Sequence, residues 1–160
     1  MDAVALVTRM VDAHNDGDDQ ALLATYAPEA TVHFAGWPEP VDAGSWVMAQ
    51  TGIRESLPDI HFGIRAVGTG PGIAVAELTL AGTNSGILHL SDEDRIVLRT
   101  AAESLPATGR PISIAGVVVL EVSDGLVTAE RHYWPTVQSL VQLGLVRPRS
   151  PVAQLADTSR

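Results

Sequence analysis

No cysteine occurs among the 160 residues. That excludes disulfides, thiolate nucleophiles and Cys-type zinc sites. Aromatic side chains are scarce at 4%, so the position of each Trp and Tyr carries weight. Cations are also few: ten Lys plus Arg stand against 19 Asp plus Glu, a formal net charge of −9. Such a chain repels phosphate backbones and anionic membrane surfaces, so neither nucleic acid nor a membrane is expected as a partner. A hydrophobic small-molecule substrate and a cytoplasmic location suit it better. Residues 1–19 carry acids early and hold no long apolar run. They read as neither a signal peptide nor a membrane span. G-x-G-x-x-G, the P-loop and G-x-S-x-G are all missing, so nucleotide binding and a serine-hydrolase elbow have no support.

What is present is a globular composition, 46% apolar and 18% charged, with the apolar part mostly Ala, Val, Leu and Ile. The length suits one domain, expected over residues 1–146, with 147–160 as a loose polar tail. Val4, Val7, Met10 and Val11, with His14 on the same face, predict an amphipathic helix over 3–15. Gly17 and then Asp18 or Asp19 end it and start a second helix over 20–26, stopped near Pro28. Residues 30–35 alternate as a strand, and Pro38 and Pro40 make the next stretch a loop. A third helix is expected over 43–56. Strands follow at 60–67, 73–82, 112–122 and 126–134. The Asp124-Gly125 turn makes the last two an antiparallel hairpin. Residues 92–104 are a possible inserted helix, and 136–145 a final one. Helices first and sheet later is the α+β signature. The expected fold is α+β: a curved antiparallel sheet wrapped round three N-terminal helices, forming a cone with an apolar pocket.

The sequence contains Asn15-Asp16-Gly17-Asp18, Tyr26-Ala27-Pro28-Glu29-Ala30, Leu57-Pro58-Asp59-Ile60, Gly82-Thr83-Asn84-Ser85-Gly86 and Pro106-Ala107-Thr108-Gly109-Arg110. It continues with Ser123-Asp124-Gly125-Leu126-Val127, then Arg131-His132-Tyr133-Trp134 and Gln142-Leu143-Gly144. In this order the words resemble the SnoaL-like polyketide cyclases, within the ketosteroid isomerase-like (nuclear transport factor two-like) cone fold. The resemblance implies a cyclase, isomerase or lyase of the antibiotic-biosynthesis kind, without metal or organic cofactor. It also implies an acid/base residue on the last strand. Cyclases of this kind carry an aspartate there, beside an Arg and before a Trp; here His132 occupies the position. A cavity histidine found on the neighbouring strand is replaced within Gly116-Val117-Val118-Val119. Asn84 stands where many relatives carry His.

Histidine can shuttle a proton near neutral pH, so His132 is the expected proton carrier. Period two puts Thr128, Glu130, His132 and Trp134 on one strand face, with Arg131 and Tyr133 on the other. Glu130 could then orient His132. The competing reading makes His132 a polar residue at a subunit contact. His33 is the third candidate catalytic residue, or simply a half-exposed strand histidine. Glu77 is either a cavity carboxylate or part of a wet sheet face. Trp37, Trp46, Trp134 and Tyr26 either form flat walls for a ligand or fill the core. Asn84 and Val118 complete the expected substrate-binding set. His14 reads as a polar cap on the cavity, while His61 and His89 read as half-exposed or solvated. The acids of the turns are capping residues, and no spacing recommends a metal site.

The expected function is a small-molecule cyclase or isomerase acting on a hydrophobic, carbonyl-rich substrate by general acid–base chemistry. An epoxide hydrolase or dehydratase in the same fold is one alternative; it needs an Asp-Arg-Asp pocket, for which only Arg65 and Arg131 are available. A non-catalytic ligand-binding or dimerisation module is the other. A homodimer, through the open sheet face, or a higher homo-oligomer is expected.

Overall fold

The computed structural model describes residues 2–35 and 37–147. The expected tail from 148 onward lies outside the described residues.

Helix α1 spans Ala3–Asp16, and its buried stripe is Leu6, Val7, Met10 and Val11. Gly17 closes it in the left-handed conformation, φ 66°, which glycine adopts without a Cβ penalty. Asp18 then caps α2 (Asp19–Leu23), its carboxylate accepting from the Ala21 N–H at 2.8 Å. Strand β1 runs Tyr26–Phe34. It starts four residues earlier than expected and contains Pro28. A proline there is tolerable because the β1 ladder is interrupted between Tyr26 and Thr31, so no hydrogen bond is demanded of it.

A short β2 (Val41–Asp42) leads into α3 (Ala43–Ser56), whose first turn is capped by the Asp42 carboxylate on Ser45. Strands β3 (His61–Gly70) and β4 (Ile73–Thr83) form a long hairpin. An excursion follows: β5 (Leu88–His89), α4 (Asp92–Leu98) and β6 (Ser104–Leu105). The inserted helix is thus shorter than expected, and β5 pairs with β6 in a small second sheet. Strands β7 (Pro111–Ser123) and β8 (Leu126–Tyr133) pair antiparallel through the Asp124-Gly125 turn. Both turn residues have positive φ, 52° and 78°, as a tight twisted hairpin requires. Helix α5 (Thr136–Gln142) closes the described chain.

The main sheet has the order β2-β1-β8-β7-β4-β3. All its pairings are antiparallel except β1 with β8, which is parallel. The sheet is therefore mixed. The one parallel contact brings the first strand beside the last and sets Phe34 opposite His132.

The core lies between α1, α3 and the inner sheet face. Leu6 and Leu22 have no exposed surface, and they pack with Ala74, Ala76, Val118 and Leu120 of β4 and β7. Each fully buried Leu contributes about 1.5–3 kcal/mol. The two alanines leave the middle of the sheet low, so the helices stand off it.

Asn84 anchors the excursion. Its side-chain amide donates to the carbonyls of Ser56 and Gly86, both at 3.0 Å. Its oxygen accepts from the Thr108 N–H at 2.8 Å and the Thr108 hydroxyl at 3.0 Å. All of its donor and acceptor capacity is consumed.

Candidate active site

Between α1, α3 and the concave sheet face lies a cavity of about 400 Å³, within the range of small-molecule sites. Its walls are mostly aliphatic and aromatic, and its polar lining is Glu130, His132 and His14 together with His89, Ser91, Asp94, Thr136 and Ser139. Among the described residues no Arg lines it, and the chain contains no Lys. Amine-based covalent chemistry is thereby excluded from the cavity. Among the described residues, no group of three or more His, Asp or Glu is placed to hold a metal ion.

Strand β8 delivers the two central groups. The bulge between Glu121 and Val122 takes up Thr128 as an extra residue, and its hydroxyl turns back to the Glu121 carbonyl. Inward alternation therefore runs Val127, Glu130, His132, and Thr128 is not on the cavity face as expected.

Glu130 and His132 are 3% and 5% exposed. His132 Nε2 lies 2.8 Å from Glu130 Oε1. The approach is off the N–H direction, and Nε2 has no in-line hydrogen-bond partner; the pair is a close polar contact rather than a linear bond. On the other side of the imidazole, Trp134 Nε1–H donates to Nδ1 at 3.1 Å. An indole N–H can only donate. Nδ1 therefore carries the lone pair, and the ring proton sits on Nε2, facing Glu130. The Tyr26 hydroxyl donates to Oε2 of Glu130.

The imidazole is clamped on its faces as well. Phe34 stacks on it with centroids 4.2 Å apart and planes 5° from parallel, and Trp46 packs at 5.0 Å. Gly116 on β7 makes room for Trp134. A Cβ at that position would fall 2.3 Å from the indole ring, far inside any real contact.

Electrostatics follow from burial. Burial alone would raise Glu130, but the His132 ring, the Tyr26 hydroxyl and His14 outweigh it and hold the carboxyl below its usual value. Burial and the Glu130 charge push the Tyr26 phenol well above its usual value, so it remains a donor. Trp46 opposes that rise slightly, yet its Nε1–H has no hydrogen-bond partner among the described residues. Burial lowers His14 to about 4 against a partly compensating pull from Glu130. His14 is therefore neutral at physiological pH.

The expected site residues separate into two groups. His132, Glu130, Trp134, Trp37, Trp46 and Val118 all border the cavity. Val118 stands opposite His132 in the β7–β8 register, and Trp37 stacks on Phe34 at 4.7 Å. Tyr26 is a correction: it sits behind Glu130 as a support and is not part of the cavity wall. His33 points off the cavity, its Nε2 3.0 Å from the Trp37 carbonyl oxygen, because residue 33 alternates away from inward Val32 and Phe34. Glu77 lies on the outer sheet face, paired with Arg65 at 2.9 Å. Asn84 is committed to the loops described above. None of these last three touches the cavity.

Three cavity features were underrated by sequence reasoning. His14 was legible, since it continues the Val7, Met10, Val11 stripe. Phe34 shares a face with Val32. Gly116 gave no signal, because nothing in the sequence reveals which ring packs over a strand glycine.

Comparison with known proteins places this geometry. Residues 7–130 match the model of the SnoaL-like domain family, which ends just short of His132. No curated protein matches the chain. Among solved structures, AclR from Streptomyces galilaeus, described as a candidate hydroxylase, superposes with a TM-score of 0.74 at 19% identity, covering 96% of this chain and 88% of that one. IdmH from Streptomyces antibioticus, described as a candidate polyketide cyclase, gives 0.73 at 20% identity, with 90% and 99% covered. A candidate SnoaL-like polyketide cyclase from Jannaschia sp. CCS1 gives 0.73 at 17%, with 91% and 92% covered. At such identities these structures show a shared fold. The family model spans most of the domain itself, and on that basis the chain belongs to the SnoaL-like domain family.

Proposed function

We propose that this protein is a cofactor-free cyclase or isomerase of the polyketide cyclase type, acting on a hydrophobic carbonyl compound. The observation that carries this reading is the buried Glu130–His132 contact opening onto an apolar cavity. A substrate C–H beside a carbonyl gives its proton to His132 Nδ1, and the Trp134 N–H yields that nitrogen. The C–H electron pair becomes an enolate. The imidazolium forms against Glu130, which stays ionised with Tyr26 behind it. In a cyclisation the enolate carbon then attacks a second carbonyl carbon, and the new alkoxide takes the proton back from His132. In an isomerisation the proton returns to a different carbon. The cavity walls fold the substrate, so proximity supplies part of the rate.

The epoxide-hydrolase alternative lacks its arginine. Arg65 and Arg131 are both on the outer sheet face, paired with Glu77 and Glu121. The open cavity speaks against a module for dimerisation alone, while a non-catalytic ligand-binding module would bind in the same cavity without accelerating proton exchange. Subunit pairing is proposed on the outer face, where half-exposed Tyr133 and Val75 flank Val117 and Val119 between those ion pairs; size exclusion with light scattering would show a dimer. No helix among the described residues is long and apolar enough to cross a membrane.

The test uses 2-tetralone, a bicyclic ketone, and deuterium exchange at its acidic carbon in D₂O followed by NMR. The protein is expected to accelerate exchange beyond free imidazole at equal concentration. His132→Ala is expected to abolish the acceleration while still quenching tryptophan emission on binding. Unchanged exchange in His132→Ala would sink His132 as the base.

A further inference from the structure

Trp134 carries an indole N–H that the proposed proton transfer must displace. In the resting protein it donates to His132 Nδ1 at 3.1 Å. An indole N–H can only donate. Once Nδ1 accepts a proton it becomes a donor as well, and the two N–H groups point at each other. The contact cannot survive that step. The released N–H then needs a new acceptor, because a buried donor left unpaired costs about 1–3 kcal/mol. The acceptor that arises at that moment is the substrate oxygen, which gains negative charge as the enolate forms.

Few other donors are near. Among the described residues no arginine lines the cavity, and the chain has no lysine. The Trp46 nitrogen is sealed from the cavity and acts on Tyr26 instead. The Tyr26 hydroxyl is spent on Glu130. His14 is turned into the packing of Trp46 and Phe62. Trp134, by contrast, borders the cavity and meets His132 on its half-buried side, away from the sealed Nε2. Its benzo ring lies over Gly116, which leaves the N–H edge toward the imidazole. It also follows the last residue of β8, Tyr133, so no ladder bond holds it in the sheet.

We propose that Trp134 is a catalytic residue whose N–H passes from His132 Nδ1 to the substrate oxygen as the enolate forms. The inference rests on the enolate reading above and adds which group holds the oxygen. The substrate C–H bond breaks and its proton bonds to Nδ1. The C–H pair becomes the C=C bond, the carbonyl π pair moves onto oxygen, and that oxygen accepts the indole N–H. The indole N–H bond itself never breaks. When the proton returns to the substrate, the indole returns to Nδ1. A neutral hydrogen bond is thus exchanged for a charge-assisted one about twice as strong, and the gain exists only while the charge does. The titratable groups facing His132 are Glu130 on its own strand, Tyr26 of β1 through Glu130, and His14 of α1. Helix α3 and strand β7 present Trp46 and Val118 to it.

A mere cover on Nδ1 and a donor to the oxyanion predict opposite signs. Removing a cover frees the base and speeds exchange; removing the oxyanion donor slows it. The test replaces Trp134 in the full chain by benzothienylalanine, in which sulfur takes the place of the N–H, with Trp134→Phe as a second variant. Deuterium exchange of 2-tetralone is expected to lose about tenfold in kcat with KM unchanged. A second readout needs no C–H cleavage. 2-Naphthol has the shape of the 2-tetralone enol, and ultraviolet absorbance gives the pH at which the bound molecule becomes naphtholate. Without the indole N–H that pH is expected to rise by about one pH unit. The sulfur ring keeps the packing on Gly116, and retained quenching of Trp37 and Trp46 emission by 2-tetralone separates a lost donor from a damaged fold. No binding of 2-naphthol to the wild type, or a naphtholate transition that stays or falls in the variants, overturns the role of Trp134. A wild type whose naphtholate transition depends on the N–H, yet which catalyses no exchange, defeats the enolate reading alone. Wild-type exchange that the variants match or exceed defeats this inference alone.

Discussion

Acidification is expected to destabilise this fold through His14. In the unfolded chain the ring takes a proton near 6.5; in the folded protein burial holds it off until about 4. Between those values the unfolded state binds more protons, so stability falls as pH falls from 6.5 toward 4 and the effect is complete below that. Above 6.5 both states are neutral and His14 contributes no slope. At about 1.4 kcal/mol per pH unit, the gap amounts to about 3 kcal/mol. That is a ceiling, because part of the ring faces the cavity, and water there would ease the proton's entry. Against a total of roughly 5–15 kcal/mol, it is a large share. For a chain of this length it corresponds to a loss of about 6–12 °C in Tm. The assay is urea denaturation at intervals from pH 8 to pH 4, on the wild type and on His14→Leu. Both lose stability from their carboxylates, including Asp42, Asp59 and Glu130, whose values are all held low. The wild type is expected to lose up to about 3 kcal/mol more than the variant, confined to the window below 6.5. Curves that stay parallel across that window would refute the claim that a buried neutral His14 is part of the fold.

Three further outcomes follow from the same contacts. Gly116→Ala drives a Cβ to 2.3 Å from the Trp134 ring; it is expected to cost about 1–3 kcal/mol, shift tryptophan emission, and move the His132 ring nitrogens in ¹⁵N NMR as the Nδ1 contact breaks. Unchanged emission and unchanged ring signals would show that the indole does not fix the tautomer. Tyr26→Phe removes a hydrogen bond to a charged carboxylate, at about 1.5–3 kcal/mol. Glu130 then titrates at higher pH, so the acid limb of the stability curve, where a depressed carboxylate loses its contribution as pH falls, moves upward. Asn84→Ala strips partners from Ser56, Gly86 and Thr108 and is expected to lower stability by about 3 kcal/mol, yet leave 2-tetralone affinity unchanged, since Asn84 is apart from the cavity.

Much of the fold was legible because it rests on short-range signals. The Val7, Met10, Val11 spacing defined α1, and Asp124-Gly125 fixed the β7–β8 hairpin. Pro28 misled, because a proline stop is a rule about backbone hydrogen bonds, and an irregular stretch of β1 demands none. Thr128 misled for a related reason: strict period two fails wherever a bulge absorbs a residue. The site was half legible. Glu130 and His132 sit on β8 and Trp134 directly follows it, all within five residues, so alternation and resemblance reached them. His33, Glu77 and Asn84 had the right chemistry at positions whose side chains face elsewhere.

By itself the sequence determined the local elements, the absence of thiol and amine chemistry, and an inward-facing Glu130–His132 segment. Those are properties of composition and of neighbours a few residues apart. Only the tertiary structure decided what surrounds that segment. Tyr26 reaches Glu130 across 104 residues, Phe34 meets His132 through the one parallel pairing, and Trp134 fits because residue 116 has no side chain. Helix α1 brings His14 into the same aromatic cluster. Such contacts depend on how the sheet closes upon itself, and closure is a property of the whole chain that no local period encodes.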